Sequence, residues 1–163
     1  MKYKKEQCIW VLLRIFLGWI FLWSFFDKLF GWGFSTAKDK AWILGNSPTS
    51  GFLQFGTHGP FSPIYQSLAG SAIVEWLFML GLLLIGLALI LGIGVKIAGY
   101  SGALMMLLMW SALLPPEHNP ILDEHIIYLF VLLGLTIVKS GQWFGLGKLW
   151  ANTRIVKKYQ ILE

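Results

Sequence analysis

From Trp76 to Pro116 the chain carries a single charge, Lys96, with about twenty uncharged residues on either side of it. A bilayer core of roughly 30 Å needs about 20 apolar residues at about 1.5 Å of rise each. Both segments meet that length, so the pattern predicts two membrane-crossing helices joined by a tight turn. Two further apolar runs extend the pattern to four spans: 8–30, 63–91, 95–114 and 120–138. Local chemistry suggests their limits. Ser62-Pro63 and Asn119-Pro120 each set a capping side chain before a proline, whose missing N–H costs nothing at a first helical position. Gly92-Ile93-Gly94 suits a left-handed helix end, and Pro115-Pro116 a stop.

The expected architecture is an all-α membrane protein, a four-transmembrane-helix bundle forming one integral-membrane domain over residues 1–163. Its N-terminus begins with lysines, as a signal peptide does. The apolar part that follows is long, contains Arg14 and lacks a small-x-small cleavage site, so it reads as a retained first span. Basic residues set the orientation. Lys2, Lys4, Lys5, Lys96, Lys139, Lys148, Arg154, Lys157 and Lys158 flank one set of span ends, whereas the loops at the other hold only Lys38 and Lys40. That asymmetry predicts both termini, including the tail 139–163, in the cytoplasm and the protein in the cell membrane.

The long outer loop, 31–62, is rich in aromatic residues. Thr36 ahead of Asp39 and Ala41-Trp42-Ile43-Leu44 suggests a short capped interfacial helix, and 46–51 and 56–60 read as turns. The loop reads equally as a lid on the outer mouth of the bundle or as a membrane-surface anchor.

Composition agrees with lipid as the main solvent. Of 163 residues, 56% are hydrophobic and only 13% charged, against about a quarter charged in soluble domains. The net charge of +5 belongs to span ends rather than to a basic face, which argues against nucleic acid. One cysteine, Cys8, excludes an internal disulfide and cysteine-built metal sites. Redox chemistry would then need a bound cofactor or a partner.

Ionisable residues within spans demand a reason, since each costs about 2.5–3.5 kcal/mol or more at mid-membrane. Arg14 in the first span and Glu75, placed near the middle of the second, are expected to pair across the interior. Such a pair either fixes helix register or edges a polar cavity. Lys28 follows Arg14 by 14 residues and falls on the same helix face, with Phe21 and Phe25, so that face is expected to line the interior. Asp27-Lys28 and Asp123-Glu124-His125 gather at the outer side. His125 suits proton transfer or donation to a carbonyl; Asp123 and Glu124 equally suit first-turn acids favoured by the helix dipole. His118, Asp123 and His125 match no standard metal spacing, so no metal is expected. Gly81, Gly86, Ala98, Gly99, Gly102 and Gly134 permit close helix approach. Trp10, Trp32, Trp110 and Trp143 fall near the interfaces, whereas Trp19, Trp23 and Trp76 lie deeper as candidates for contact with a flat ring. The candidate catalytic residues are thus Glu75, His125 and Arg14, and the candidate pocket residues Lys28, Asp27, Trp23 and Trp76.

Several stretches together resemble a known family. Arg14-x-x-Leu17-Gly18 leads to Phe26-Asp27-Lys28-Leu29-Phe30. Then come Ser47-Pro48-Thr49 with Gly51-Phe52-Leu53, Glu75-Trp76-Leu77-Phe78-Met79-Leu80-Gly81-Leu82, Leu91-Gly92-Ile93-Gly94, and Asn119-Pro120 before Asp123-Glu124-His125. In that order they resemble the DoxX family, and within it look most like the DoxD type, the membrane subunit of thiosulfate:quinone oxidoreductase. The resemblance spans about Arg14 to Gly147. It implies a four-helix membrane subunit that works with a second subunit, oxidises thiosulfate to tetrathionate and reduces a membrane quinone. Family motif positions fall on Arg14, Lys28, Glu75 and His125. The competing expectation is a non-catalytic scaffold or assembly factor for a partner oxidoreductase. A small-solute carrier fits less well, because the spans show no inverted repeat. Glycine-rich faces leave a homo-oligomer open.

Overall fold

The computed structural model describes residues 4–163, so Lys2 lies outside the described residues. Their regular elements are all helical, with no strand among them. Three helices are long and apolar enough to cross a membrane: α1 (Lys5–Phe30), α3 (Ala72–Leu91) and α4 (Val95–Ala112), the last two joined by the expected turn at Gly92–Gly94. A short α2 (Ser62–Ser67) precedes α3, and α5 (Glu124–Ile137) follows α4. The tail folds as α6 (Gly147–Ala151), α7 (Arg154–Lys158) and single 3-10 turns at Ser140–Gln142 and Gln160–Leu162. One end of the bundle, the loop end, carries 31–71 and 113–123. The other, the tail end, carries 92–94 and 138–163.

Three boundaries differ from expectation, each for a local reason. The second span does not begin at Pro63. Ser67 Oγ bonds back to the Ile64 carbonyl and Gly70 takes φ +78°, so the chain turns and a new helix starts at Ala72. The last helix begins at Glu124 rather than Pro120. Asn119 Oδ1 accepts from the amides of Ile121 and Leu122, closing a turn of its own, and Asp123 Oδ1 then caps the amides of His125 and Ile126. With 14 residues α5 is about 21 Å long, short of a full core width. The capped interfacial helix expected at Thr36–Leu44 is two 3-10 turns, Lys38–Lys40 and Trp42–Leu44, and Ala37, not Thr36, precedes the first.

The core gathers Leu17, Phe21 and Phe25 of α1 with Met79, Leu82, Ile85 and Leu89 of α3, Ala98 and Met106 of α4, and Leu132 and Leu135 of α5. These recur at three- and four-residue steps, one face per helix. The opposite faces are apolar too: Leu77, Leu84, Phe130 and Ile137 are all more than half exposed, as lipid-facing positions should be.

In lipid, helix association comes from packing rather than from a hydrophobic driving force, so small residues decide which helices meet closely. On α1 and α3, Gly18 and Gly86 cross so tightly that a Cβ on either would lie 3.0–3.1 Å from the other's carbonyl oxygen. On α4, a Cβ at Gly99 would collide with Thr136 Oγ1 and sit 2.9 Å from the Leu132 carbonyl oxygen of α5. Thus α1 packs chiefly on α3 and α4 on α5, while α3 and α4 meet more loosely.

Gly99→Ala is expected to destabilise the bundle by about 1–3 kcal/mol through overpacking. Thr136→Ala should recover only part of this, because the Leu132 carbonyl remains in place. Thermal unfolding of the purified single and double variants checks both.

Candidate functional site

The loose contact between α3 and α4 leaves a furrow of about 990 Å³, open along its side. Its walls are the apolar faces of Val74–Ala88 and Gly94–Ala112. At the loop end Pro48, Thr49, Phe52 and Leu53 of the outer loop cover it, and at the tail end Trp150 and Leu162 do. Lys28 is the one Lys, Arg, His, Asp or Glu side chain among the lining residues.

Two polar groups at the loop end have no oxygen or nitrogen partner. The Lys28 ammonium lies 5.9 Å from the centre of the Phe78 ring, a cation–π distance, and makes no hydrogen bond or ion pair among the described residues. Thr49 Oγ1 is buried without a partner. The Thr49 backbone is engaged: its N–H donates to Ser47 Oγ and its carbonyl accepts from Leu53. The hydroxyl alone is left over. By contrast Tyr65 OH is bonded to the Leu108 carbonyl and Ser111 Oγ, and Ser101 Oγ to its own helix. An ammonium at the end of an apolar trough suits an amphiphile whose head accepts hydrogen bonds.

Successive helical positions diverge by about 100°, so Asp27 turns elsewhere. Its carboxylate, 1% exposed, accepts from the amides of Phe34 and Ser35 and from Ser35 Oγ at 2.8–3.2 Å. It pins the start of the outer loop to α1 and does not line the furrow. Trp23 lies against Trp19, Trp32 and Phe34 on another face of α1. Trp76, 56% exposed, stands edge-on to Trp42. Neither tryptophan lines the furrow.

The expected Arg14–Glu75 pair does not form. Because α3 starts at Ala72, Glu75 sits in its first turn, half-buried, where the helix dipole favours an acid. Arg14 lies beside Gly92 at the far end of that helix, about 26 Å away along its axis. Arg14 is fully buried, and its guanidinium donates to the carbonyl oxygens of Ser140 (2.6 Å), Trp143 (3.1 Å) and Phe144 (2.6 Å), with Nε left unpartnered. The face that carries it, with Leu17, Phe21, Phe25 and Lys28, does turn inward as the spacing predicts.

His125 Nδ1 lies 2.8 Å from Asp123 Oδ2, so the carboxylate that caps α5 also orients the imidazole. Donor atoms of Asp123, Glu124 and His125 come within 4.8 Å of one another. Both Asp123 oxygens are already engaged, by the cap and by the ring. No hydrogen bond or ion pair joins any two of Arg14, Lys28, Glu75 and His125 among the described residues.

With this geometry in place, the comparison with known families is decisive at one level: the DoxX family model matches residues 9–114. The chain belongs to the DoxX family. The match covers α1 through α4, hence both walls of the furrow, Lys28 and Thr49; α5 with His125 lies beyond it. No curated protein and no solved structure matches the chain. This DoxX protein is an integral membrane protein by family and by its three long apolar helices.

Sequence reasoning missed Thr49 and the clasp on 140–144. Neither has a local signal. A threonine in a Ser-Pro-Thr turn reads as turn chemistry, and acceptors that are main-chain carbonyls leave no trace in side-chain identity.

Arg14→Met would leave three carbonyl oxygens without their donor, and is expected to destabilise the tail by about 3 kcal/mol. Hydrogen exchange checks this: the amides of Leu146 and Trp150 should lose protection while those of α4 and α5 keep theirs.

Proposed function

We propose that this DoxX protein is the quinone-binding membrane subunit of a redox complex, passing electrons from thiosulfate or a related sulfur donor to a membrane quinone. The observation that carries the reading is the apolar furrow with the Lys28 ammonium at one end and, in the same lining, Thr49, whose buried hydroxyl has no partner. A quinone is a flat head with carbonyl acceptors on a long isoprenoid tail. Along α3 the furrow runs from Val74 to Ala88, about 21 Å. One leaflet of the core is only about 15 Å deep, so a tail that crosses the midplane fills the furrow better than a leaflet-bound acyl chain.

In this reading Lys28 and Thr49 donate to a quinone carbonyl oxygen and stabilise the negative charge that develops there as electrons arrive. Thiosulfate is oxidised to tetrathionate, two ions giving up one electron each. The quinone takes both electrons and two protons to become the quinol. With a single cysteine, the chain leaves sulfur oxidation to a second subunit. Glu75, the one acid of α3 and three residues from Phe78, is assigned to proton supply, and His125 is the other candidate. Orientation follows the basic residues: the tail end in the cytoplasm, the loop end outside, with α5 as a short fourth span.

A second reading, a scaffold for a partner oxidoreductase, draws support from Arg14, Asp27 and Asp123, each of which holds backbone groups in place.

The readings part on a lipid extract of the purified protein. The first expects co-purified quinone, reduced about tenfold in Lys28→Gln and again in Thr49→Val, each losing roughly one hydrogen bond. It also expects thiosulfate-dependent quinone reduction in membranes to fall with Glu75→Gln or His125→Ala. Phospholipid alone in the extract, unaffected by Lys28→Gln, would select the scaffold.

A further inference from the structure

We infer that Trp150 and Leu162 close the tail end of the furrow and set the length of apolar tail it accepts. This rests on the reading of the furrow as a quinone site and adds a specificity element to it. The furrow runs from Lys28 and Thr49 at the loop end to Gly94 at the tail end, where the Leu162 carbonyl oxygen is 3.9 Å from the position a Gly94 Cβ would take. Trp150 and Leu162 are the lining residues that the tail contributes. An occupant anchored by its head at Lys28 therefore meets the indole and the leucine last.

The stop is braced rather than draped. Trp150 Nε1 donates to the Leu162 carbonyl, which ties the indole to the Leu162 backbone across eleven intervening residues of tail. The next residue, Glu163, is held three ways: its carbonyl accepts from the Lys96 amide at 3.0 Å, and its carboxylate accepts from Lys139 Nζ at 2.8 Å and from Gln142 Nε2. Lys96 belongs to α4, so the stop is fastened to one wall of the furrow it closes. Arg14 fastens the start of the same segment to α1 through the carbonyls of 140–144. A side chain held this firmly excludes a further isoprene unit instead of swinging aside for it. A tail short of the stop leaves apolar wall uncovered, and a tail that overruns it must bend out into lipid. Both lose buried area, so affinity should peak at one length.

The test uses the whole chain as wild type, Trp150→Ala and Leu162→Trp. Each is incubated with an equimolar mixture of ubiquinones graded from the shortest to the longest isoprenoid tail and washed in detergent. Mass spectrometry then reads the retained species. Trp150→Ala should shift retention to longer tails, raising the long-to-short ratio roughly tenfold, and Leu162→Trp should shift it to shorter tails by a similar factor. Loss of folding cannot produce displacements of opposite sign. An unchanged tail-length profile in both variants, with Lys28→Gln lowering retention at every length, would overturn the stop and leave the quinone site standing. If wild type retains none of the ubiquinones, the site and the stop fall together.

Discussion

A guanidinium with no carboxylate beside it organises this protein. Arg14 is fully buried, and what compensates its charge is a fan of three main-chain carbonyl dipoles drawn from five consecutive residues, 140–144. Arginine suits this because its planar fork offers several donors in fixed directions, spread over two terminal nitrogens, whereas an ammonium's three donors all leave one atom. The consequence is long-range. By holding the start of the tail under α1 and α3, Arg14 directs the rest of the tail beneath α4, where Trp150 and Leu162 reach the furrow. One buried cation thus joins the first helix to the last segment and decides how one end of the candidate site is finished.

The furrow itself follows from unequal helix packing. Gly18 against Gly86 and Gly99 against Thr136 bring two helix pairs to near backbone contact. Between those pairs, α3 and α4 meet less closely along the seam. Longer side chains such as Met105 and Leu108 stand along that seam and hold α3 and α4 apart. In water such an apolar trough would close or aggregate. In lipid it carries little penalty, because acyl chains wet it, and it stays available to a ligand that wets it better.

Much of the fold was legible because helix length and glycine spacing are sequence-local. The three long spans, the Gly92–Gly94 turn, the inward face of α1 and the small-residue contacts at Gly86 and Gly99 could all be read from spacing. Helix starts were less legible. Ser62-Pro63 and Asn119-Pro120 have the residues of helix starts, yet Gly70 and Asp123 win, since a left-handed glycine and a doubly capping carboxylate each terminate or nucleate more decisively than a proline permits. The shift to Ala72 moves Glu75 from mid-helix to the first turn and dissolves the expected ion pair. The candidate site was legible only in Lys28. Its companion Thr49 is defined by what its hydroxyl lacks, which is a property of the folded loop and not of the Ser-Pro-Thr stretch that contains it.

Asp27 and Lys28 explain how a lone cation is kept available at the mouth of an apolar trough. Adjacent opposite charges ordinarily solvate each other, and a lysine so paired would offer little to a ligand. Here the roughly 100° step between neighbours sends the carboxylate toward the outer loop, where two amides and a hydroxyl occupy its lone pairs, and sends the ammonium toward the furrow. The loop that Asp27 anchors is the same loop that carries Thr49 into position. The acid therefore stays out of the furrow that its neighbour lines and anchors the start of the loop that carries Thr49. Separating the two roles onto consecutive residues lets a single helix end both close the fold and present its chemistry to the membrane.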